Sequence, residues 1–404
     1  MINNFFLKIQ ILMVALTIAM LILISCNDVG IVDNPFSGSQ SGNDDFVANN
    51  TFEDVGNDPN NLYQRGSTLA FDEKYIYYPS DGCINRIDYS GGNKTLIVEE
   101  YDVDFENLNI YKGYIYYSID DFDSYIKRTN LETLETEIIV ELEGDSYRKD
   151  VDIQSVFIID GKMFYSYDID YDNSNINSFA AVLDLNDFSN QTTICQIAED
   201  KDIRFSTDNE YVYVFACTYG NYNRLIHEVY KVSLANTSEM EWLESVTSGD
   251  NYDSLIFNTE GFINLSIDRF DKEWSYMRKK YSDMDFEDDE WNPIDSDVVY
   301  KEDNLVITDE KRYILDNNMV ILNSPMGAEE TDIYICKNLD FGNPEKVGTV
   351  YSISLLWNGY WNTVGAYKET LYVVEQITEL SPVTEESLVI ITSDGQMSRV
   401  AITE

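Results

Sequence analysis

Seven short runs of alternating, β-prone residues recur along the chain at a nearly regular interval, and no long amphipathic helix separates them. They begin at Tyr75, Tyr114, Met163, Tyr211, Phe262, Met319 and Leu371, 39 to 57 residues apart. Alternation of period two puts successive side chains on opposite faces of a strand. Six runs follow a Gly, Asn, Asp, Glu or Lys directly or one residue further back, and the seventh follows Lys368-Glu369-Thr370, so each has a turn signal before it. A repeat of this length with several strands per unit predicts an all-β chain, a β-propeller of four-stranded antiparallel blades. Seven blades are favoured over residues 66–404, with six as the alternative count. A pair of β-sandwiches or a β-helix would not produce so regular a repeat over the full length.

The first unit can be parsed strand by strand. Ser67 to Asp72 is the expected inner strand, Tyr75 to Pro79 the second, Cys83 to Tyr89 the third and Lys94 to Glu99 the outer one. The turns fall at Glu73-Lys74, Ser80-Asp81-Gly82 and Ser90-Gly91-Gly92-Asn93, all rich in turn formers. With 30 Tyr, 19 Phe and only 7 Pro, the composition favours strands.

Charge narrows the function. The chain has 27 Lys+Arg against 73 Asp+Glu, a formal net charge of −46. Phosphate contacts need clustered cations, so nucleic-acid binding and electrostatic docking on anionic lipid are excluded. A hydrophobic content of 44% is enough for a real core.

Residues 1–25 are read as a lipoprotein signal peptide, 26–60 as a flexible acidic and polar linker, and 61–404 as the propeller domain. Ile11 to Ile24 is an apolar run broken only by Thr17, and it is shorter than the ~20 residues that span a bilayer. It ends in Leu23-Ile24-Ser25-Cys26, which resembles the bacterial lipobox. That resemblance implies acylation of Cys26, cleavage before it, and an extracytoplasmic, membrane-anchored protein of the cell envelope or surface. Two or three acyl chains anchor stably where one does not.

Four cysteines remain, Cys83, Cys195, Cys217 and Cys336. Their spacings match no zinc pattern, and their placement in or beside strand-like runs favours buried free thiols over disulfides.

A family likeness appears in the first unit. Tyr77-Tyr78-Pro79-Ser80, Ile84-Asn85-Arg86-Ile87-Asp88, Gly91-Gly92-Asn93 and Leu96 together resemble a low-density-lipoprotein-receptor-type YWTD blade and related bacterial lipoprotein propeller domains of unknown function. The second unit follows with Tyr116-Tyr117-Ser118-Ile119 and Ile126-Lys127-Arg128, but has Asn130-Leu131-Glu132 where Asp-Gly belongs. Asp394-Gly395 returns in the last unit. The resemblance covers roughly 75 residues. It implies a binding scaffold and brings no catalytic residues.

The search for chemistry yields little. His227, the single histidine, lies in the strand-like Leu225-Ile226-His227-Glu228-Val229, and no phosphate loop or hydrolase motif is present. Asp168, Asp170 and Asp172 alternate like the oxygen ligands of a calcium loop, but Phe179 stands where an EF-hand has its bidentate Glu. Calcium is the one cofactor the sequence admits, and a solvated hairpin tip is the plainer reading. The segment Asp283 to Asp297 holds eight acids and reads as a solubilising insertion. Trp357, Tyr360 and Trp361 gather around an Asn-Gly turn signal between the sixth and seventh units and are the ligand-binding candidates.

The expected function is therefore a monomeric, lipid-anchored extracytoplasmic scaffold that binds a protein or glycan. An enzyme using a central propeller pocket and a structural envelope component are the alternatives.

Overall fold

The computed structural model describes residues 69–80, 82–100, 103–120, 124–142, 149–171, 175–188, 191–197, 202–219, 224–250, 254–257, 261–268, 273–280, 298–301, 310–315, 318–323, 330–337, 344–351, 360–378 and 383–403. All belong to one compact unit, Phe46–Glu404. Cys26, Asp172, Trp357 and the acidic segment from Asp283 to Asp297 lie outside the described residues.

The described residues form seven four-stranded antiparallel sheets, each a meander of four consecutive strands. The first sheet is Ala70–Phe71, Tyr75–Ser80, Cys83–Asp88 and Thr95–Glu99. The second is Asp104–Tyr111, Tyr114–Asp120, Ser124–Asn130 and Thr136–Leu142. The third is Lys149–Ile159, Lys162–Tyr171, Asn175–Asp184 and Gln191–Ile197. The fourth is Asp202–Thr207, Tyr211–Tyr219, Arg224–Ser233 and Asn236–Asp250. The fifth is Ser254–Phe257, Gly261–Asp268, Glu273–Lys280 and Val298–Lys301. The sixth is Glu310–Leu315, Asn318–Asn323, Glu330–Cys336 and Glu345–Tyr351. The seventh is Tyr360–Tyr367, Thr370–Thr378, Val383–Thr392 and Met397–Ala401. Each of the seven sequence runs is the second strand of its sheet. The strand expected from Ser67 to Asp72 pairs at Ala70–Phe71, because Asp72 leaves the ladder to cap a turn.

Sheets bury both faces by stacking on their neighbours. Tyr77 and Ile84 of the first sheet share a core with Ile115, Tyr117 and Ile119 of the second. Phe164 and Val182 of the third pack with Phe205, Val212 and Val214 of the fourth. The first strands of sheets one to four adjoin in succession, as do those of sheets five and six, which places these strands innermost. The last sheet returns to the first: Leu69, Phe71, Ile76 and Tyr78 share a cluster with Tyr372, Val374 and Leu388. A closed ring of radially stacked meanders is a β-propeller.

The turns repeat a local device that the sequence reading missed. Asp72 Oδ1 accepts the amides of Lys74 and Tyr75, and its Oδ2 accepts the Tyr77 hydroxyl at 2.7 Å. Asp208 does the same with Glu210, Tyr211 and Tyr213. The signal was in the sequence: each Asp stands three residues before a Tyr-x-Tyr run. Such Asx turns replace a backbone turn bond with a carboxylate. A cation from the third strand then covers the first Tyr. Arg86 lies over Tyr75, Arg128 over Tyr114 and Lys231 over Tyr211, at 4.5, 4.3 and 3.6 Å from the ring centroids.

Candidate binding surface

An antiparallel meander fixes which connections lie at which end of a blade. The first strand of each sheet begins, and the second finishes, at one end, which we term the leading end. At the opposite end the first-to-second turns are tight. Lys112-Gly113, Asp160-Gly161 and Lys368-Glu369 each have both residues at positive φ, the hairpin geometry that matches strand twist.

Tyr360 and Trp361 open the first strand of the seventh sheet, paired with Ile377 and Gln376, so both stand at the leading end. The sequence placed them in a turn; in the structure their backbone belongs to the ladder. Asp168 and Asp170 occupy the leading end of the third sheet, on its second strand rather than on a hairpin tip. Two residues apart on an extended strand, they share one face. Asp168 is half-buried and accepts a hydrogen bond from the Gln154 side-chain amide, whose own oxygen accepts the Ile203 amide at 3.4 Å. That chain joins the third sheet to the fourth. Among the described residues no third metal-ligating side chain joins the two carboxylates.

Other buried polar side chains also stitch sheets together. Asn109 donates to the Val156 carbonyl at 3.1 Å, and Asn107 accepts the Val156 amide at 3.2 Å. Ser124 donates to Val151 O at 2.6 Å and Ser166 to Ile203 O at 2.9 Å. Glu375 is fully buried. It accepts the Tyr351 amide at 2.9 Å, the Ser387 hydroxyl at 2.7 Å and both arms of the Arg399 guanidinium at 2.8 and 3.0 Å. Glu386 sits at the ring seam, ion-paired with Lys94 and accepting the Tyr78 and Ser80 hydroxyls, each at 3.1 Å. Burial, and then the Glu386 charge, push the Tyr78 hydroxyl far above the usual phenol range. These two acids, absent from the sequence candidates, are committed to joining sheets. No local motif marks them, because their partners lie far away in the chain.

Cys83, Cys195, Cys217 and Cys336 form no disulfide; Cys195 and Cys336 are buried and the other two partly so. His227 lies on the third strand of the fourth sheet.

No family model matches the chain, and no curated protein does. Solved structures share its architecture at low identity. The chain is similar to the tricorn protease at 12% identity and a TM-score of 0.44, over 93% of this chain but only 37% of that much longer one. It is similar to an oligogalacturonate lyase from Vibrio parahaemolyticus at 10% identity and a TM-score of 0.49, over 86% of this chain and 95% of that one. The propeller domain of the Trilobed protease from Pyrococcus furiosus, described as having an open velcro topology, matches at 10% identity and a TM-score of 0.41, over 75% and 98% of the two chains. The propeller assignment itself rests on the meandering sheets and their closure.

Proposed function

We propose that this chain is a lipid-anchored extracytoplasmic scaffold whose leading end recognises a protein or glycan. The observation that carries the reading is the placement of Tyr360 and Trp361 at the start of the first strand of the seventh sheet, at its leading end. Aromatic side chains offer broad apolar surface at low entropy cost and suit sugar rings or a partner's side chains. The commitment of Gln154, Asn109, Glu375 and Glu386 to inter-sheet bonds supports a scaffold over an enzyme. The YWTD-type likeness of residues from Tyr77 to Leu96 supports it too.

The test is Trp361→Ala, assayed by capture from native envelope extract and on a glycan array. The expected result is a nearly unchanged melting temperature with capture lost. A stability loss of about 3–5 kcal/mol, the cost of removing a core Trp, or retained capture, overturns the reading.

Anchoring rests on the Leu23-Ile24-Ser25-Cys26 lipobox. Cys26→Ala should leave an unprocessed precursor or release the protein from the membrane fraction. Normal processing and retention would exclude lipidation at this site.

A further inference from the structure

The outer rim of the second sheet presents apolar side chains to solvent. Among the described residues, large hydrophobic side chains are exposed at Leu96, Leu134, Ile138, Phe188 and Trp242. Three of these five gather at one place. Every residue from Glu132 to Ile138 is exposed, across the turn after the third strand and the start of the fourth, with Leu134 at 50% and Ile138 at 52%. Phe188, 39% exposed, follows the third strand of the third sheet and reaches the same rim through Arg128. The Arg128 guanidinium lies over the Phe188 ring at 4.5 Å and donates to Glu137 at 2.6 Å.

Leu134 is held there under strain. Its φ is +61°, in the left-handed region that bulky residues rarely adopt. Asn130 fixes the turn by accepting the amides of Glu132 and Thr133, each at 2.9 Å. The corresponding turns of the first and seventh sheets use glycine instead. The closing backbone bond runs from Asp88 to the Gly92 carbonyl, from Asn130 to the Glu135 carbonyl and from Thr392 to the Gln396 carbonyl. Just before each acceptor stand Gly91, Leu134 and Gly395, all at positive φ. Gly91 and Gly395 lean on neighbouring sheets, where a Cβ would lie 3.1 Å from Val400 and 3.2 Å from Val347. Leu134 leaves half of its side chain in water, so the core does not account for a leucine at a position that glycine fits better.

We propose that Leu134, Ile138 and Phe188 form a docking surface for a cationic, amphipathic segment of another protein. Charge decides the partner. Glu132 and Glu135 flank Leu134 with no ion pair among the described residues, and Glu137 keeps 56% exposure beside Arg128. Lys and Arg set among aliphatic residues answer both the acids and the apolar side chains. A second copy would bring the same acids to the contact at a formal charge of −46. The ladder of the outer strand shifts register next to Ile138, and such a bulge disrupts an edge for strand addition, so side chains make the contact. The turn lies at the end opposite Tyr360 and Trp361, which makes the surface independent of the recognition proposed there.

The experiment measures binding of a fluorescent synthetic peptide of leucine and lysine to the full chain, by anisotropy at about 150 mM salt. Binding should saturate, and a serine–lysine peptide of equal charge should bind at least about tenfold more weakly. Leu134→Gly should raise the melting temperature, because glycine takes positive φ without strain, and should weaken peptide binding at least about tenfold. Ile138→Ser should weaken binding as much, and Leu96→Ser, on the outer strand of the first sheet, should leave it unchanged. No binding to the unaltered chain, equal binding of the two peptides, unaltered binding in either rim variant, or an equal loss in Leu96→Ser overturns the proposal. A lower melting temperature for Leu134→Gly would place that side chain in the core and overturn it too. If Ile138→Ser fails to fold by circular dichroism, Leu134→Gly decides. A dimer in sedimentation that Leu134→Gly dissolves would make a second copy the occupant and overturn the cationic partner.

Discussion

Glu375 shows how a buried charge is tolerated in this ring. Its carboxylate has a bidentate guanidinium, a hydroxyl and a backbone amide as donors, so every charged oxygen is satisfied. Glu375→Ala would orphan the Tyr351 amide and the Ser387 hydroxyl, while the half-exposed Arg399 keeps solvent and the Thr349 carbonyl, at a cost of about 1–3 kcal/mol in urea denaturation. Asp88 works at the surface. Hydrogen bonds from the Ser90 hydroxyl, the Gly92 amide and the Asn93 side chain hold its carboxyl down at about 2. A depressed carboxylate contributes stability above its unfolded value, near 3.9, and loses it as pH falls toward 2. The stability gap between the unaltered chain and Asp88→Ala should therefore close across that window when unfolding is followed against pH. At Asp168 the bond from Gln154 already uses part of the calcium candidate. Millimolar calcium should leave the melting temperature unchanged, and a rise would restore the calcium site by mass action. Residues of this kind were only half legible. Asp72 and Asp208 carry a local signal, whereas Glu375 takes its partners from residues 12 to 24 positions away and Glu386 from up to 308.

At the scale of elements, the seam between the last and first sheets decides whether the ring closes. No strand is exchanged across it, because all four strands of each sheet are consecutive. Closure relies instead on side chains and a short tail. Phe71 stacks on Tyr367 with ring centroids 5.2 Å apart, and Gln376 donates to the Pro79 carbonyl at 3.1 Å. Past the last strand, Thr403 exchanges two backbone bonds of 3.0 Å with Gly91 and Lys94. Deleting residues 402–404 should lower the melting temperature and raise amide exchange at Lys94 and Thr95 above that of the second sheet. Uniform exchange would show that the tail does not clasp the first sheet. Gly365 marks the tightest approach at this seam. A Cβ there would lie 2.9 Å from Leu69 Cβ and 3.0 Å from the Phe71 ring. Gly365→Ala should cost about 1–3 kcal/mol by overpacking, measured in the same denaturation assay.

The whole molecule is dominated by its charge. At a formal −46, self-repulsion opposes the compact state. Raising salt from about 10 to 500 mM shortens the Debye length from roughly 30 Å to a few ångströms and should raise the melting temperature. Acidification from pH 7 toward the isoelectric point near 4.1 should stabilise the ring by the same logic, until capping carboxylates such as Asp88 protonate. A melting temperature insensitive to salt would mean that the 27 cations already balance the local fields.

Fold class, the positions of the second strands and most of the first sheet could be read from the amino-acid order alone. Period-two alternation and turn chemistry act over a few residues, and a repeat makes them visible several times over. Asp88 and Asn130 each end a third strand and cap the turn after it, a local signal that the sequence reading did not use. The order of residues did not show how the ring closes or that Glu375 and Glu386 bind sheets together. Those facts depend on register and on contacts between strands. A shift of one residue moves a side chain to the other face, so only the folded ladder assigns each residue its neighbours.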